Sequence, residues 1–237
     1  MGEPLPELLP FSLAGPVGRL DGRLELPDPD LLKSVFERPR FLAVFGHPDP
    51  RRGGTMQNLV VVHGARALAR LGGAVARFDF RGVGKSEGSF DGGRGELDDF
   101  QAVAAKLRSR WPDVATLLAA GFSFGAMRAL ECAAGGAAQL CLAVAPPFKL
   151  VKGGKDGAEP LARVECPAGL VLAGADELVA APTERELADR FADLRAVETV
   201  AGAGHLFSGR IKELAAAVER VAQALLRSLP TSPPPAA

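Results

Sequence analysis

The chain has 237 residues, of which 47% are hydrophobic, and its 28 Lys and Arg residues balance 28 Asp and Glu residues at zero formal net charge. This length and apolar content suit one large domain with a substantial core. Because the charges balance, we expect neither a nucleic acid nor an anionic membrane as a partner.

The N-terminus and the cysteines indicate a cytoplasmic protein. The start MGEPLPELLPF has neither the basic region nor the long apolar core of a signal peptide. The apolar, uncharged stretch 114–127 has 14 residues, which is too short to span a bilayer. Cys132, Cys141 and Cys166 fit no metal-binding spacing, so we expect reduced, buried thiols.

Strand-like and helix-like segments alternate along the chain. A hairpin over 18–27, turning at Asp21–Gly22, is predicted first. Apolar strand-like segments follow at 41–48, 74–80, 115–122, 139–147, 169–176 and 196–202. Helix-like segments lie at 55–72, 96–111, 125–134, 183–194 and 211–229. Thr55 is the expected N-cap of the first helix, and Leu59 is expected on its buried face.

This alternation predicts an α/β protein with a mostly parallel central sheet and helices on both faces. With no linker or repeat in view, we expect an extension over 1–14, a single domain over 15–229 and a disordered proline-rich tail over 230–237. Such sheets bind ligands at the carboxyl ends of their strands, and functional residues are expected there.

The segment DFRGVGKSEG, residues 79–88, contains the G-K-S that closes a phosphate-binding loop. A phosphate loop has a glycine five positions before the glycine of G-K-S, and that position is Asp79. The residues after Lys85 are too rich in glycine to begin the helix that would hold a phosphate. The segment therefore argues against a nucleotide-binding switch.

The strongest functional signal is GFSFG, residues 121–125, which fits the G-x-S-x-G pattern of a nucleophile elbow. An apolar strand precedes it and a helix of small residues follows it, as the motif requires. The strained turn lifts the serine hydroxyl clear of the sheet, and only small residues fit at Gly121 and Gly125. We therefore predict that Ser123 is a nucleophile.

A serine nucleophile needs a base that is held by an acid, and this fold places them in the order serine, acid, histidine. His205 is the only histidine after Ser123, and it follows the last predicted strand. Asp176 ends a strand between the two. Glu177 is the competing acid, but the first carboxylate at a rigid strand end is better placed to orient the imidazole.

A tetrahedral intermediate needs two amide donors. One is the N–H of Phe124, directly after the serine. The other is expected in the loop after the strand 41–48, where Pro48 and Pro50 have no N–H, so Asp49 is the predicted donor. His47 is expected to brace this loop, and His63 to be a packed helix residue.

These motifs resemble the α/β-hydrolase superfamily, and within it a small bacterial group without a lid. The resemblance runs from about Gly15 to the last helix and rests on GHPDPRRGGTMQN, RFDFRGVGKSEGSFDGGRGELDD, AGFSFGA, GADELV and AGHLF. It implies an α/β-hydrolase fold with no cap domain and a triad of Ser123, Asp176 and His205. It also implies that Arg81 and Ser86 pin loops near the active site.

The predicted function is hydrolysis of a small carboxylic ester through an acyl-serine, without a metal or an organic cofactor. A cap domain is absent because only the 22 residues 147–168 occupy its usual place, so the site should be open. A thioesterase, an amidase or a peptidase with the same residues remains an alternative, as does a catalytically silent interaction protein. The sequence indicates no oligomeric state.

Overall fold

The centre of the molecule is an eight-stranded sheet. The structure is a computed structural model and describes residues 7–27, 38–149 and 162–227. The strand order is β1-β2-β4-β3-β5-β6-β7-β8, with β1–β2 and β2–β4 antiparallel and the other pairs parallel. The strands are β1 (Glu7–Gly15), β2 (Gly18–Leu26), β3 (Phe41–Gly46), β4 (Gly73–Phe78), β5 (Leu117–Phe122), β6 (Leu140–Val144), β7 (Ala168–Ala173) and β8 (Leu194–Val200). The predicted fold class is confirmed.

Helices cover both faces of this sheet. They are α1 (Leu59–Arg70), α2 (Arg94–Arg110), α3 (Phe124–Ala134), α4 (Glu184–Arg190) and α5 (Ile211–Leu226). Along β3, Phe41, Ala43 and Phe45 pack in the apolar cluster that contains α1 and α5. Leu42 and Val44 pack in the opposite cluster, which contains α2 and α3. Alternate residues of a strand point to opposite faces, so this wholly apolar strand is buried on both sides.

The N-terminal hairpin exists, but its predicted turn is wrong. β1 and β2 pair from Glu7 opposite Leu26 to Gly15 opposite Gly18, so the chain turns between Gly15 and Gly18 and not at Asp21–Gly22. Gly22 lies within β2, where a Cβ atom would come 2.3 Å from the ring of Phe11. This glycine makes room for an aromatic ring, a role that the sequence does not separate from a turn.

The start of α1 also differs from the prediction. Asn58 is the N-cap, and its side chain accepts a hydrogen bond from the Val60 N–H at 2.9 Å. Thr55 instead accepts from the Gln57 N–H in the preceding turn. Leu59 is 60% exposed. The buried stripe of the helix includes Val60, Val61, Ala65 and Leu68. Because α1 is apolar on several sides, its periodicity does not single out one face.

The segment around Asp79 is a structural loop. The Ser86 hydroxyl donates to the Asp79 carbonyl at 2.6 Å and accepts from the Asp21 N–H at 3.0 Å. The buried Arg81 guanidinium donates to both carboxylate oxygens of Asp99 in α2, at 3.0 and 2.7 Å. Lys85 is exposed, and the next described helix begins only at Arg94. The loop thus ties β4 to β2 and α2.

Two predicted segments fall outside the described residues. The tail 230–237 lies wholly beyond them, and so do residues 150–161 of the connection 147–168. In the described part of that connection, Phe148 packs its ring edge against Phe191, with ring centroids 6.4 Å apart.

Buried thiols are found as predicted at Cys132 and Cys141, whereas Cys166 is half-buried. Burial raises the pKa of Cys132 and of Cys166 to about 11. In the described ranges, no group of three His, Cys, Asp or Glu side chains is arranged to hold a metal ion. The helices described here are also too short or too polar to cross a membrane.

Candidate active site

Ser123 lies on a strained turn between β5 and α3. Its backbone angles are φ 53° and ψ −116°, which a residue with a side chain adopts only under constraint. Its N–H donates to the Val144 carbonyl at the end of β6, at 2.9 Å. A Cβ atom on Gly121 would come 2.2 Å from the Gly125 carbonyl oxygen, and one on Gly125 would come 2.3 Å from Gly46. The turn therefore has the geometry of a nucleophile elbow.

The structure brings the three predicted triad residues into one hydrogen-bonded chain. His205, in the turn after β8, has its Nε2 atom 2.9 Å from the Ser123 Oγ and its Nδ1 atom 2.8 Å from Asp176 Oδ2. A carboxylate only accepts hydrogen bonds, so Nδ1 carries the ring proton. Nε2 is then the acceptor that faces the serine hydroxyl.

Asp176 and Glu177 both hold His205, but at different atoms. Asp176 Oδ1 accepts hydrogen bonds from the Leu178 and Val179 N–H groups at 2.9 and 2.8 Å, which fixes the carboxylate. The other carboxylate oxygen, Oδ2, is the one that accepts the hydrogen bond from the imidazole. Glu177 Oε2 accepts from the backbone N–H of His205 at 3.0 Å. The ring partner is therefore Asp176, while Glu177 supports the turn that carries the histidine.

The two predicted amide donors border the same cleft as Ser123. Phe124 is the first residue of α3, where an N–H has no acceptor within its own helix. The N–H of Asp49 donates no hydrogen bond to any of the described residues. Both residues line the cleft together with Ser123 and His205. Neither amide has an acceptor among the described residues.

Known proteins resemble the chain over most of its length. An uncharacterised protein of Rickettsia prowazekii is 30% identical over 210 residues, which cover 86% of this chain and 84% of that protein. No family model matches. A solved α/β serine hydrolase homologue from Coxiella burnetii is 33% identical with a TM-score of 0.76, covering 90% and 96% of the two chains. A solved α/β serine hydrolase without a lid, from Xanthomonas campestris, is 34% identical with a TM-score of 0.74, covering 98% and 100%. The chain belongs to the lidless α/β serine hydrolases.

In this serine hydrolase, His47 braces the loop that carries Asp49, as predicted. Its Nε2 atom accepts from the Phe80 N–H at 3.1 Å, so Nδ1 carries the proton and donates to the Pro48 carbonyl at 2.7 Å. Burial lowers the pKa of His47 from 6.5 to about 4, although the bond to Pro48 acts in the opposite direction. The ring is therefore neutral at pH 7 and links β3 to β4.

Acidification should unfold this hydrolase partly through His47. Between pH 6.5 and 4 the unfolded chain binds a proton at this histidine while the folded chain does not, so stability is present above pH 6.5 and is lost as the pH falls. This one group should remove about 3 kcal/mol from the free energy of unfolding. Urea unfolding at pH 7 and pH 4 measures the loss.

The control is His47→Gln, which has no titratable group at this position. Its loss between pH 7 and pH 4 should be smaller by about 3 kcal/mol, whatever its stability at pH 7. If the free energy of unfolding depended on pH equally in the unaltered protein and in His47→Gln, His47 would not be held neutral in the fold.

The cleft beside Ser123 has a volume of about 580 Å³. Its walls combine apolar and cationic side chains. They include Phe90, Phe124, Met127, Pro147, Phe148, Leu178, Val179 and Leu206, together with Arg51, Arg52 and Arg128. This volume suits a small ligand.

The sequence reasoning missed the three arginines of the cleft. Two of them had a signal in the sequence, because Arg51 and Arg52 come directly after the loop of the predicted donor Asp49. Arg128 stands four residues after Phe124, and residues at this spacing share one face of a helix. Phe90 had no such signal, because it reaches the cleft through the loop before α2.

Proposed function

We propose that this hydrolase cleaves small carboxylic esters through an acyl-serine intermediate. The observation that carries the proposal is the chain of hydrogen bonds from Ser123 through His205 to Asp176, at 2.9 and 2.8 Å. A serine hydroxyl gains nucleophilicity from an adjacent base, and the base is kept in the useful tautomer by the carboxylate behind it.

The proposed reaction has two halves. Ser123 Oγ attacks the ester carbonyl carbon while its proton moves to His205 Nε2, and the imidazolium that forms is stabilised by Asp176. The same proton then passes to the leaving alcohol oxygen as the C–O bond breaks. Water enters, gives its proton to His205 and attacks the acyl-serine, and the proton returns to Ser123 as the acid leaves.

The negative oxygen of each tetrahedral intermediate needs donors that are already in place. The N–H groups of Phe124 and Asp49 are proposed for this role because both border the cleft and have no described acceptor. The N-terminus of α3 adds the favourable end of the helix dipole. All these groups belong to the protein, so the proposed steps need no metal and no organic cofactor.

Short acyl chains should be the best substrates. Each buried methylene adds about 0.8 kcal/mol to binding, but only where a wall encloses it. In a cleft of about 580 Å³ without a cap domain, we expect kcat/KM to peak between acetyl and hexanoyl esters. The measurement is kcat/KM for p-nitrophenyl esters from two to sixteen carbons, with the Ser123→Ala variant as the blank. A maximum at twelve carbons or more, or a rise in rate above the micelle concentration, would indicate a covered site.

The remaining alternatives are separated by two further measurements. A fluorophosphonate probe labels only an activated serine, so a catalytically silent interaction protein would stay unlabelled. Thioester and amide analogues of the best ester, assayed beside it, distinguish an esterase from a thioesterase, an amidase or a peptidase. We expect rapid labelling at Ser123 and the highest kcat/KM with the ester.

A further inference from the structure

The lining of the cleft has an excess of positive charge. Arg51, Arg52 and Arg128 face it, and Asp49 is the only acidic residue among its described lining residues. The whole chain has no formal net charge, so the excess is local. None of these arginines has a role in the proposed acyl transfer.

Arg128 is the most constrained of the three. It is only 9% exposed, and its guanidinium lies 4.7 Å from the centre of the Phe124 ring. Its Nη2 donates to Glu131, while its buried Nε finds no acceptor among the described residues. Gly93 makes room for it, because a Cβ atom there would lie 1.9 Å from Nη1. Burying a cation with an unmade hydrogen bond is costly, and Arg128 nevertheless lines the cleft.

Arg51 packs its guanidinium on the ring of Phe90 in the same way as Arg128 packs on Phe124. Its guanidinium lies 4.6 Å from the centre of the Phe90 ring, and the Phe90 and Phe124 ring centroids are 5.9 Å apart. Arg51, Phe90, Phe124 and Arg128 therefore form one continuous surface, which we term the cationic wall. Such a surface suits a ligand with both an apolar part and a negative charge.

Arg52 supplies a charge that forms no ion pair with an acid among the described residues, although it acts on Asp49 at longer range. Arg51 donates to both carboxylate oxygens of Asp49, and Arg128 is paired with Glu131. Arg52 is exposed at the cleft, and no ion pair or hydrogen bond joins its side chain to another described residue. Its guanidinium is thus free to pair with a carboxylate or phosphate of a ligand.

We infer that the cleft selects esters that carry a negatively charged group, which Arg52 and the cationic wall bind while Ser123 attacks the ester carbonyl. This inference rests on the proposed ester hydrolysis and adds the substrate class. The anion can belong to the acyl chain or to the leaving alcohol, and a separate pair of substrates tests each case. A neutral ester of the same size lacks the ion pair and is a poorer substrate.

Two matched pairs of substrates test the inference. For the acyl side, p-nitrophenyl hemiglutarate is compared with p-nitrophenyl valerate, which has the same number of carbons. For the alcohol side, 4-acetoxybenzoate is compared with 4-acetoxybenzamide. In at least one pair the anionic ester should have a kcat/KM higher by about tenfold, mainly through KM, because charge-assisted hydrogen bonds to arginine are strong. The preference should shrink in 0.5 M salt, since Arg52 is exposed.

The matched variants are Arg52→Gln and Arg185→Gln. Arg185 is also an exposed arginine, lies outside the cleft and has a side chain that is 92% exposed. Arg52→Gln should lower the anionic-to-neutral ratio about threefold, as expected for one exposed ion pair, and Arg52→Glu should lower it further. Arg185→Gln should leave the ratio unchanged. Neither position is buried, so loss of folding does not confuse the result.

Calorimetry separates failure of this inference from failure of the proposed function. Binding is measured for two pairs of an acid and its amide: glutarate with glutaramide, and 4-hydroxybenzoate with 4-hydroxybenzamide. None of these compounds is hydrolysed as an ester, so their affinities report the charge preference without turnover. A chain that cleaves none of the four esters fails as an esterase, and stronger binding of the anions then still supports the inference. Equal binding of each acid and amide, equal kcat/KM within both ester pairs, or a preference that survives Arg52→Glu would overturn it.

Discussion

Ser123→Ala should lower kcat for ester hydrolysis by a factor on the order of 10⁵, the scale of losing the nucleophile of such a hydrolase. The hydroxyl is the only atom that can form the acyl intermediate, and its hydrogen-bond partner is His205. Without it, the cleft retains only its binding groups and its amide donors, which leave a small residual rate.

The same substitution should leave the fold intact. The backbone of the elbow is held by the Ser123 N–H bond to Val144 and by the glycines at 121 and 125, none of which needs the hydroxyl. We expect an unchanged circular dichroism spectrum, a melting temperature within a few degrees, and no fluorophosphonate labelling. A variant that keeps more than about one hundredth of the rate would show that another residue attacks the ester.

Asp176→Asn should lower kcat about 10⁴-fold, although it only replaces one carboxylate oxygen by an NH₂ group. Asp176 Oδ1 already accepts two backbone N–H groups, from Leu178 and Val179. The carbonyl oxygen of the asparagine must take that place, so its NH₂ group faces the Nδ1 atom of His205. Nδ1 must then accept a hydrogen bond, the ring proton moves to Nε2, and the imidazole no longer accepts the serine proton.

Glu177→Gln is the matched control for this effect. Among the described residues, the Glu177 carboxylate accepts only the backbone N–H of His205, and the carbonyl oxygen of glutamine can accept it as well. We expect less than a tenfold change in kcat, or below about 1.4 kcal/mol. Steady-state kinetics at pH 7 compare the two variants. A larger loss at Glu177 than at Asp176 would reverse the assignment of the acid.

Much of this site was predictable because its residues lie in the turns that follow strands. The alternation of apolar strands and helices identifies the sheet, and the order of Ser123, Asp176 and His205 follows from the strands that precede them. The structure places Asp176 on the imidazole and Glu177 on the backbone, in agreement with the preference derived from the strand end. Whether these residues carry out the reaction stays a prediction until the two variants are measured.

The errors share a physical cause. Gly22 was interpreted as a turn residue, but its missing side chain accommodates the ring of Phe11 from the neighbouring strand. The cationic wall was missed because Arg51, Phe90 and Arg128 come from three separate segments that meet only in the folded chain. Contacts of this kind depend on tertiary packing, which local sequence patterns do not record.

The close approach of Gly46 and Gly125 has a consequence for how this enzyme could diverge or be engineered. A Cβ atom on Gly46 would come 3.0 Å from Gly125, and one on Gly125 would come 2.3 Å from Gly46. At the elbow that carries Ser123, main chain thus packs directly against main chain, and neither position accepts even alanine without displacing the other. Changes in specificity are therefore expected among the side chains that line the cleft, such as Arg52, Phe90 and Leu206, and not at these two glycines.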